Sequence, residues 1–286
     1  MVSETGVVMS IFQQACLCEN KNRSFALIHI IESRGSTPRH SASMLVTETG
    51  ETIGTIGGGM MERLVLDRTR QALADECSCV FQGRMARQGE HAVGSDCGGA
   101  MTVHIAVYPR RPSLILVGGG HVNRAIAQAA VPLNFDVHVL DTWQESLDHP
   151  DMPAACHRIY GNSFTTLISD LPLDDKSLVI IATNHQDKES LDALLPRPAR
   201  FLGLLASSRK VHHFKQQLQQ EGVAQEQIAR LRSPVGLDIG AETPQEIAIS
   251  VLAELLLAIK GAKKMASGKP EAIHADEVKM ATSVAM

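Results

Sequence analysis

Hydrophobic and polar positions divide this chain into two stretches of different design. In the first, residues 5–18 carry a helical pattern and 24–33 (SFALIHIIES) alternate as a strand does. Residues 42–47 and 51–56 read as two strands joined around Thr49-Gly50. A helix is predicted over 60–75, with Leu64 and Leu73 among its apolar positions, and strands near 77–82 and 100–108 close the unit. The basic, proline-bounded connection YPRRP (108–112) then marks a boundary. Beyond it, strand and helix patterns alternate. Strands are predicted at 113–117, 136–140, 156–160, 178–182 and 201–205, and helices at 121–131, 187–195, 207–221 and 244–260. Short apolar strands interleaved with helices predict a parallel sheet covered on both faces. The last helix has a marked start: Thr243 as N-cap, Pro244 at N1 and Glu246 at N3 to complete a capping box.

The stretch SLILVGGGHVNRAIAQAA from Ser113, followed by VHVLD ending at Asp141, sharpens the second unit. An apolar strand meets Gly118, Gly119 and Gly120, a helical pattern opens, and an acid closes the next strand 23 positions after Gly118. That is the layout of a dinucleotide-binding βαβ unit. The expected fold class is therefore α/β: a small N-terminal α/β domain over 1–110, then a Rossmann-like doubly wound parallel-sheet domain over 111–262. Residues 263–286 lose the apolar period and are expected to form a flexible tail.

Composition narrows the function. Among 286 residues, 44% are hydrophobic and 20% charged, as in a globular protein. A net charge of −4 and only 3% aromatics argue against nucleic acid or an anionic membrane as partner. No run approaches the ~18 apolar residues of a membrane span, and the N-terminus lacks a signal-peptide pattern. A cytoplasmic location is expected. The six cysteines form no C-x-x-C pair, so a zinc knuckle is not expected and the thiols should be free. Cys77 and Cys79 would share one face of a strand and are read as core thiols.

Three places could carry chemistry. Gly118–Gly120 would let a phosphate approach the backbone at a helix N-terminus, with Asp141 placed for a ribose hydroxyl and His121 for a phosphate. The position of the usual third glycine is Asn123, whose side chain should push the helix outward. Gly57, Gly58 and Gly59 make a second strand–glycine–helix junction, with Glu62 in the first helical turn, where a carboxylate favours the helix dipole. Cys97, followed by Gly98, lies in the glycine-rich loop of VGSDCGGAMTVHI, where a thiolate could ligate a soft metal or attack an electrophile. His185 lies beyond a strand end, where open α/β sheets bind ligands, whereas His29, His104 and His138 read as ordinary strand residues. No hydrolase or kinase motif is present.

GSTPRHSASMLVTETGETIGTIGGGMME (35–62), SDCGGAMTVHI (95–105), LVGGGHVNRAIA (116–127) and the segments between FLGLLASSRK and PVGLDIGAETPQEIAISVLAELL (201–256) resemble the XdhC/CoxI family over roughly residues 8 to 260. The resemblance implies an accessory protein of molybdenum hydroxylases such as xanthine or aldehyde dehydrogenase, rather than a catalyst. It implies a chaperone that binds molybdenum cofactor, as molybdopterin or its cytosine dinucleotide, and protects it during sulfuration by a cysteine desulfurase. The cofactor would then pass to the apo-hydroxylase, and a homodimer is the typical assembly. On this reading Cys97 is a candidate molybdenum contact, and Gly98 and the two glycine loops are candidate cofactor contacts. Many relatives have cysteine after the first loop where this chain has Met60, and more often read GAGHVG at the second; Gly119 and Asn123 depart from that wording. The alternative is an NAD(P)-dependent oxidoreductase using the Rossmann domain, with NAD(P) the weaker cofactor candidate.

Overall fold

The structure, a computed structural model, describes residues 9–35, 39–84, 99–183 and 185–266, the side chains of 262–266 excepted. The chain divides into two compact units, Met1–Arg111 and Pro112–Met286.

In the first unit, α1 (Ile11–Asn20) precedes β1 (Phe25–Arg34), β2 (Ser43–Thr47) and β3 (Thr52–Gly54). Then come α2 (Gly59–Ala74), β4 (Cys79–Arg84) and β5 (Ala100–Tyr108). The strands form one antiparallel sheet in the order β3-β2-β1-β5-β4. Successive side chains of β1 point to opposite faces. Ala26 and Ile28 pack with Met61 and Val65 of α2, whereas Phe25 and Leu27 pack with Ala15 and Cys18 of α1. Each face thus has its own helix. A capping box starts α1 at Ile11, later than the sequence pattern suggests: Ser10 N donates to Gln13 Oε1 (2.8 Å) and Gln13 N to Ser10 Oγ (3.2 Å).

Cys77 corrects the sequence reading. It is exposed, and the strand begins only at Cys79, which is partly buried. The turn that ends α2 takes Cys77 instead: Glu76 adopts φ 51 and Cys77 N donates to Ala72 O. The described cysteines, Cys16, Cys18, Cys77, Cys79 and Cys156, are free thiols. Burial pushes the Cys156 thiol up to about 11, against a smaller opposing pull from Arg158, so it stays protonated at neutral pH.

The second unit contains β6 (Ser113–Val117), α3 (His121–Ala130), β7 (Asp136–Asp141), α4 (Gln144–Leu147), β8 (His157–Tyr160) and α5 (Phe164–Ser169). It continues with β9 (Leu178–Ile181), α6 (Asp187–Leu194), β10 (Phe201–Leu204), α7 (Ser208–Gln220), α8 (Gln225–Arg230), β11 (Leu231–Arg232) and α9 (Pro244–Ala266). Its six strands are parallel, in the order β11-β10-β9-β6-β7-β8. The chain winds outward through β6, β7 and β8, then resumes with β9 on the other side of β6. That reversal opens a crevice at the strands' C-terminal ends. Leu114 and Leu116 pack with Ile126 of α3 and with Val251 and Leu255 of α9. Ile115 and Val117 pack on the opposite face with Phe164, Leu191 and Leu218. The sheet is therefore buried on both sides, as its near-continuous apolar strands require.

The Thr243–Glu246 capping box is formed, Thr243 N donating to Glu246 Oε2 (2.9 Å) and Glu246 N to Thr243 Oγ1 (3.3 Å). Helix α9 runs on through Gly261 to Ala266, beyond the expected end near 260. One glycine in a helix costs only about 1 kcal/mol, and the alanines and lysines that follow are good helix formers. The tail expected to be flexible falls, from residue 267, outside the described residues. Among the described residues no helix is long and apolar enough to cross a membrane.

Candidate functional site

The glycine turn after β6 is built so that each glycine does something different. Gly118 has φ +98, and a Cβ there would lie 2.5 Å from the Ala182 carbonyl oxygen, so only glycine fits. Its N–H donates to Leu140 O (2.8 Å), continuing the sheet into the turn. Gly119 N donates to Asp141 Oδ2 (2.5 Å), and a Cβ on Gly119 would meet Ser146 Cβ at 3.0 Å. Gly120 differs: a Cβ there would meet nothing within 4 Å. It is also the N-cap of α3, and no side chain caps that helix. The first-turn amides of a helix have no partner within it, and the dipole leaves that end positive.

Three side chains lock this turn from behind. Asn123 is fully buried, and its Nδ2 donates to Val117 O (3.0 Å) and Gly118 O (2.7 Å). The Arg124 guanidinium, also buried, donates to Gly119 O (2.7 Å). Asp141 receives Gly119 N on one oxygen and Trp143 N on the other (2.9 Å). Asn123 therefore straps the helix to the strand through hydrogen bonds, whereas the sequence alone suggests that it pushes the helix away. Its amide nitrogen donates to two backbone carbonyls, a role that glycine, with no side chain, could not fill. Asn123 Oδ1 has no partner among the described residues.

Beside the turn lies a cavity of about 420 Å³ at the C-terminal ends of β6, β7 and β9. Gly118, Gly120 and Asp141 line one side, Ala182, Thr183, His185 and Gln186 another, and Trp143, Ser146 and Phe164 complete it. Trp143 stands 66% exposed, offering an indole face beside the opening. Of the residues expected here, His121 is exposed and is not among those that line the cavity, and Gly119 lies behind the wall.

The far wall has a support that the sequence does not disclose. Asp187 is 2% exposed. It accepts the Thr183 amide (3.0 Å) and hydroxyl (2.5 Å) on one oxygen and the Lys210 ammonium (2.6 Å) on the other. Gln186 N in turn donates to Thr183 Oγ1 (3.1 Å), and Thr142 Oγ1 to Gln186 Oε1 (3.3 Å). The available signal is the Thr183-to-Asp187 spacing across a strand end and a helix start, which suits a side chain returning to the backbone.

The first glycine loop is closed by the protein itself. Gly57, Gly58 and Gly59 have φ +128, +75 and +71. The Glu62 carboxylate accepts Ile56 N (3.0 Å), Gly58 N (3.0 Å) and Thr55 Oγ1 (2.5 Å). An internal carboxylate thus takes two amides of this junction, those of Ile56 and Gly58. Burial opposes ionisation of Glu62, but the donated bonds from Thr55 and the loop amides outweigh it and hold the carboxyl below its usual range. Met60, next to the loop, is 49% exposed. Because the folded form binds the proton less readily, Glu62 stabilises the fold above its unfolded value of about 4.3, and that contribution fades as pH falls below it. Glu62→Gln should therefore flatten the acid side of the thermal stability curve, with the wild-type-minus-variant difference in Tm shrinking between about pH 5 and pH 3. A difference independent of pH would refute this account. Cys97 and Gly98 lie outside the described residues.

Two family models match the chain: one described as the XdhC Rossmann domain over residues 114–255, and one described as the XdhC and CoxI family over residues 18–82. Uncharacterized protein YqeB of Escherichia coli (strain K12) is 54% identical over 248 residues, which are 87% of this chain and 46% of that protein. A protein of Bacillus subtilis (strain 168) named as a probable xanthine dehydrogenase subunit is 29% identical over 148 residues, 51% of this chain and 42% of that one. The chain thus spans less than half the length of these two relatives. A crystal structure described as a xanthine dehydrogenase from Bacillus halodurans is alike in fold, with a TM-score of 0.50 at 19% identity over 91% of this chain and 98% of that one.

Proposed function

Because the chain belongs to the XdhC and CoxI family, we propose that it is a maturation factor for a molybdenum hydroxylase, holding molybdenum cofactor in the pocket of its second unit. The observation that carries this reading is the uncapped start of α3 at Gly120, facing open space beside a cavity of about 420 Å³. That volume lies within the range of small-molecule and cofactor sites. The residues fit the group. The Gly120 turn and the first amides of α3 would hold its phosphate, because a helix N-terminus favours an anion. Trp143 offers aromatic surface to a planar heterocycle, and Thr183, His185 and Gln186 offer polar groups to its edge. Cys97, in the first unit, remains the candidate thiolate for the metal, since sulfur suits a soft centre. The bound cofactor supplies the molybdenum and its exchangeable sulfur ligand. The protein's part is to bind, orient and shield it, while a cysteine desulfurase and the apo-hydroxylase act as partners of a homodimer in the cytoplasm.

The same pocket admits the alternative of an NAD(P)-dependent oxidoreductase, favoured by Asp141 at the end of β7. It is weakened because both Asp141 oxygens already accept backbone amides. Maturation of an apo-hydroxylase in an extract supplied with desulfurase and cofactor should depend on this protein, and Cys97→Ala should lower the yield of active enzyme at least about tenfold, since even the loss of a group that only supports a metal ligand costs about that much. Maturation indifferent to the protein, together with an NAD or NADP dissociation constant in the micromolar range by calorimetry (about −8 kcal/mol), would replace the chaperone reading with the oxidoreductase one.

A further inference from the structure

At the N-terminal ends of β7 and β8, Asp136, His138 and His157 converge. The pleat of the sheet brings them together. Asp136 and His138 are two apart on β7 and so share a face, and His157 on β8 is the direct partner of His138 in the parallel register. The two imidazoles stack with centroids 4.5 Å apart. His138 Nε2 lies 3.1 Å from Asp136 Oδ2, and His157 Nε2 lies 3.3 Å from Asp136 Oδ1. One ligand atom from each residue can be chosen so that all three lie within 4.8 Å of one another.

We infer that these three residues form a site for a divalent transition-metal ion of the zinc class. The donor set is two imidazoles and one carboxylate, which suits such an ion and disfavours magnesium or calcium, whose preferred ligands are all oxygen. The spacing also suits it. Bonds of about 2.0–2.1 Å in a tetrahedron place ligand atoms about 3.3 Å apart; each imidazole nitrogen already lies at about that distance from one or the other Asp136 oxygen, and a turn of one ring would bring both nitrogens to a single ion. Asp136 is buried, His138 half-buried and His157 52% exposed by its side chain. The site therefore has an anchored inner ligand and a solvent-facing outer one, and water can complete the coordination as in three-ligand zinc sites. Binding would exchange two carboxylate–imidazole contacts for metal bonds and would clip the edge strand β8 to β7. His138 then does more than fill a strand position. This site shares no residue with the cavity beside Gly120 and does not depend on the function proposed for it.

The test is zinc chloride titrated into the chelator-stripped, full-length protein by calorimetry. Cobalt absorption reports separately whether the ligands are imidazole and carboxylate or thiolate. The wild type should bind about one equivalent with micromolar or tighter affinity and no thiolate charge-transfer band. His157→Ala, chosen because that side chain is half exposed and the fold should tolerate its loss, should weaken this event at least about tenfold, with an unchanged circular dichroism spectrum. His138→Ala should do the same. No zinc binding tighter than about 100 μM (about −5.5 kcal/mol), a cobalt spectrum dominated by thiolate, or an isotherm that neither histidine variant changes would overturn the proposal.

Discussion

Gly118→Ala is expected to destabilise the second unit by about 3 kcal/mol and lower its Tm by about 6–12 °C. Two effects combine. At φ +98 an ordinary residue pays backbone strain of about 1–3 kcal/mol. The new Cβ would also press to 2.5 Å from the Ala182 carbonyl oxygen, a backbone atom at the end of β9 that cannot swing aside as a side chain would. The likewise conservative Gly120→Ala should change Tm little, since Gly120 has φ −69 and no atom within 4 Å of the added methyl. Differential scanning calorimetry of the two variants checks both halves. Equal effects at the two glycines would show that the turn is not held against β9 as described.

Asp187→Ala should come next, at about 2–3 kcal/mol by chemical denaturation. The carboxylate accepts three donors, and its removal strands the Thr183 amide and hydroxyl at the wall of the cavity. The Lys210 ammonium would be less affected, because that side chain is 40% exposed and can turn to water. This places the figure below the 3–5 kcal/mol of breaking a fully buried pair. Asp187→Asn keeps an acceptor for Thr183 and should lose less than half as much. If alanine and asparagine cost the same, the ion pair with Lys210 rather than the support of Thr183 holds the wall.

The sequence discloses the larger elements because their signals are long or chemically sharp. The strands of the second unit are short apolar runs between helices, and the capping box at Thr243 and the glycine turn after β6 are local chemistry that the fold keeps. The helices α4, α5 and α8 and the strand β11 span two to six residues, too short for a period to rise above noise. Cys77 is misplaced by pattern alone because alternation cannot reveal that a positive-φ residue, Glu76, delays the strand. The candidate site is legible in its backbone and not in its side-chain partners. Gly118 and Gly120 are visible as glycines, but that one meets a carbonyl and the other open space depends on where β9 ends. Glu62 and Asp141 are visible as acids near glycines. That each accepts loop amides from its own unit is a matter of distances of 2.5–3.0 Å, which no spacing rule encodes. The metal cluster escapes for the same reason: Asp136 and His138 are near in sequence, but His157 joins them only through the register of β7 and β8.

The proposed seat of the phosphorylated molybdenum cofactor is the pocket beside Gly120. Gly120→Val tests it, because the branched side chain would enter the open space at the start of α3 while the loss of a neutral N-cap glycine costs the fold at most about 1 kcal/mol. Molybdenum and pterin per chain should be measured after purification of both proteins from cells that make the cofactor. Wild-type protein should carry both, and a folded Gly120→Val protein should carry neither. Wild-type protein free of both, or a variant loaded as fully as the wild type, would contradict it.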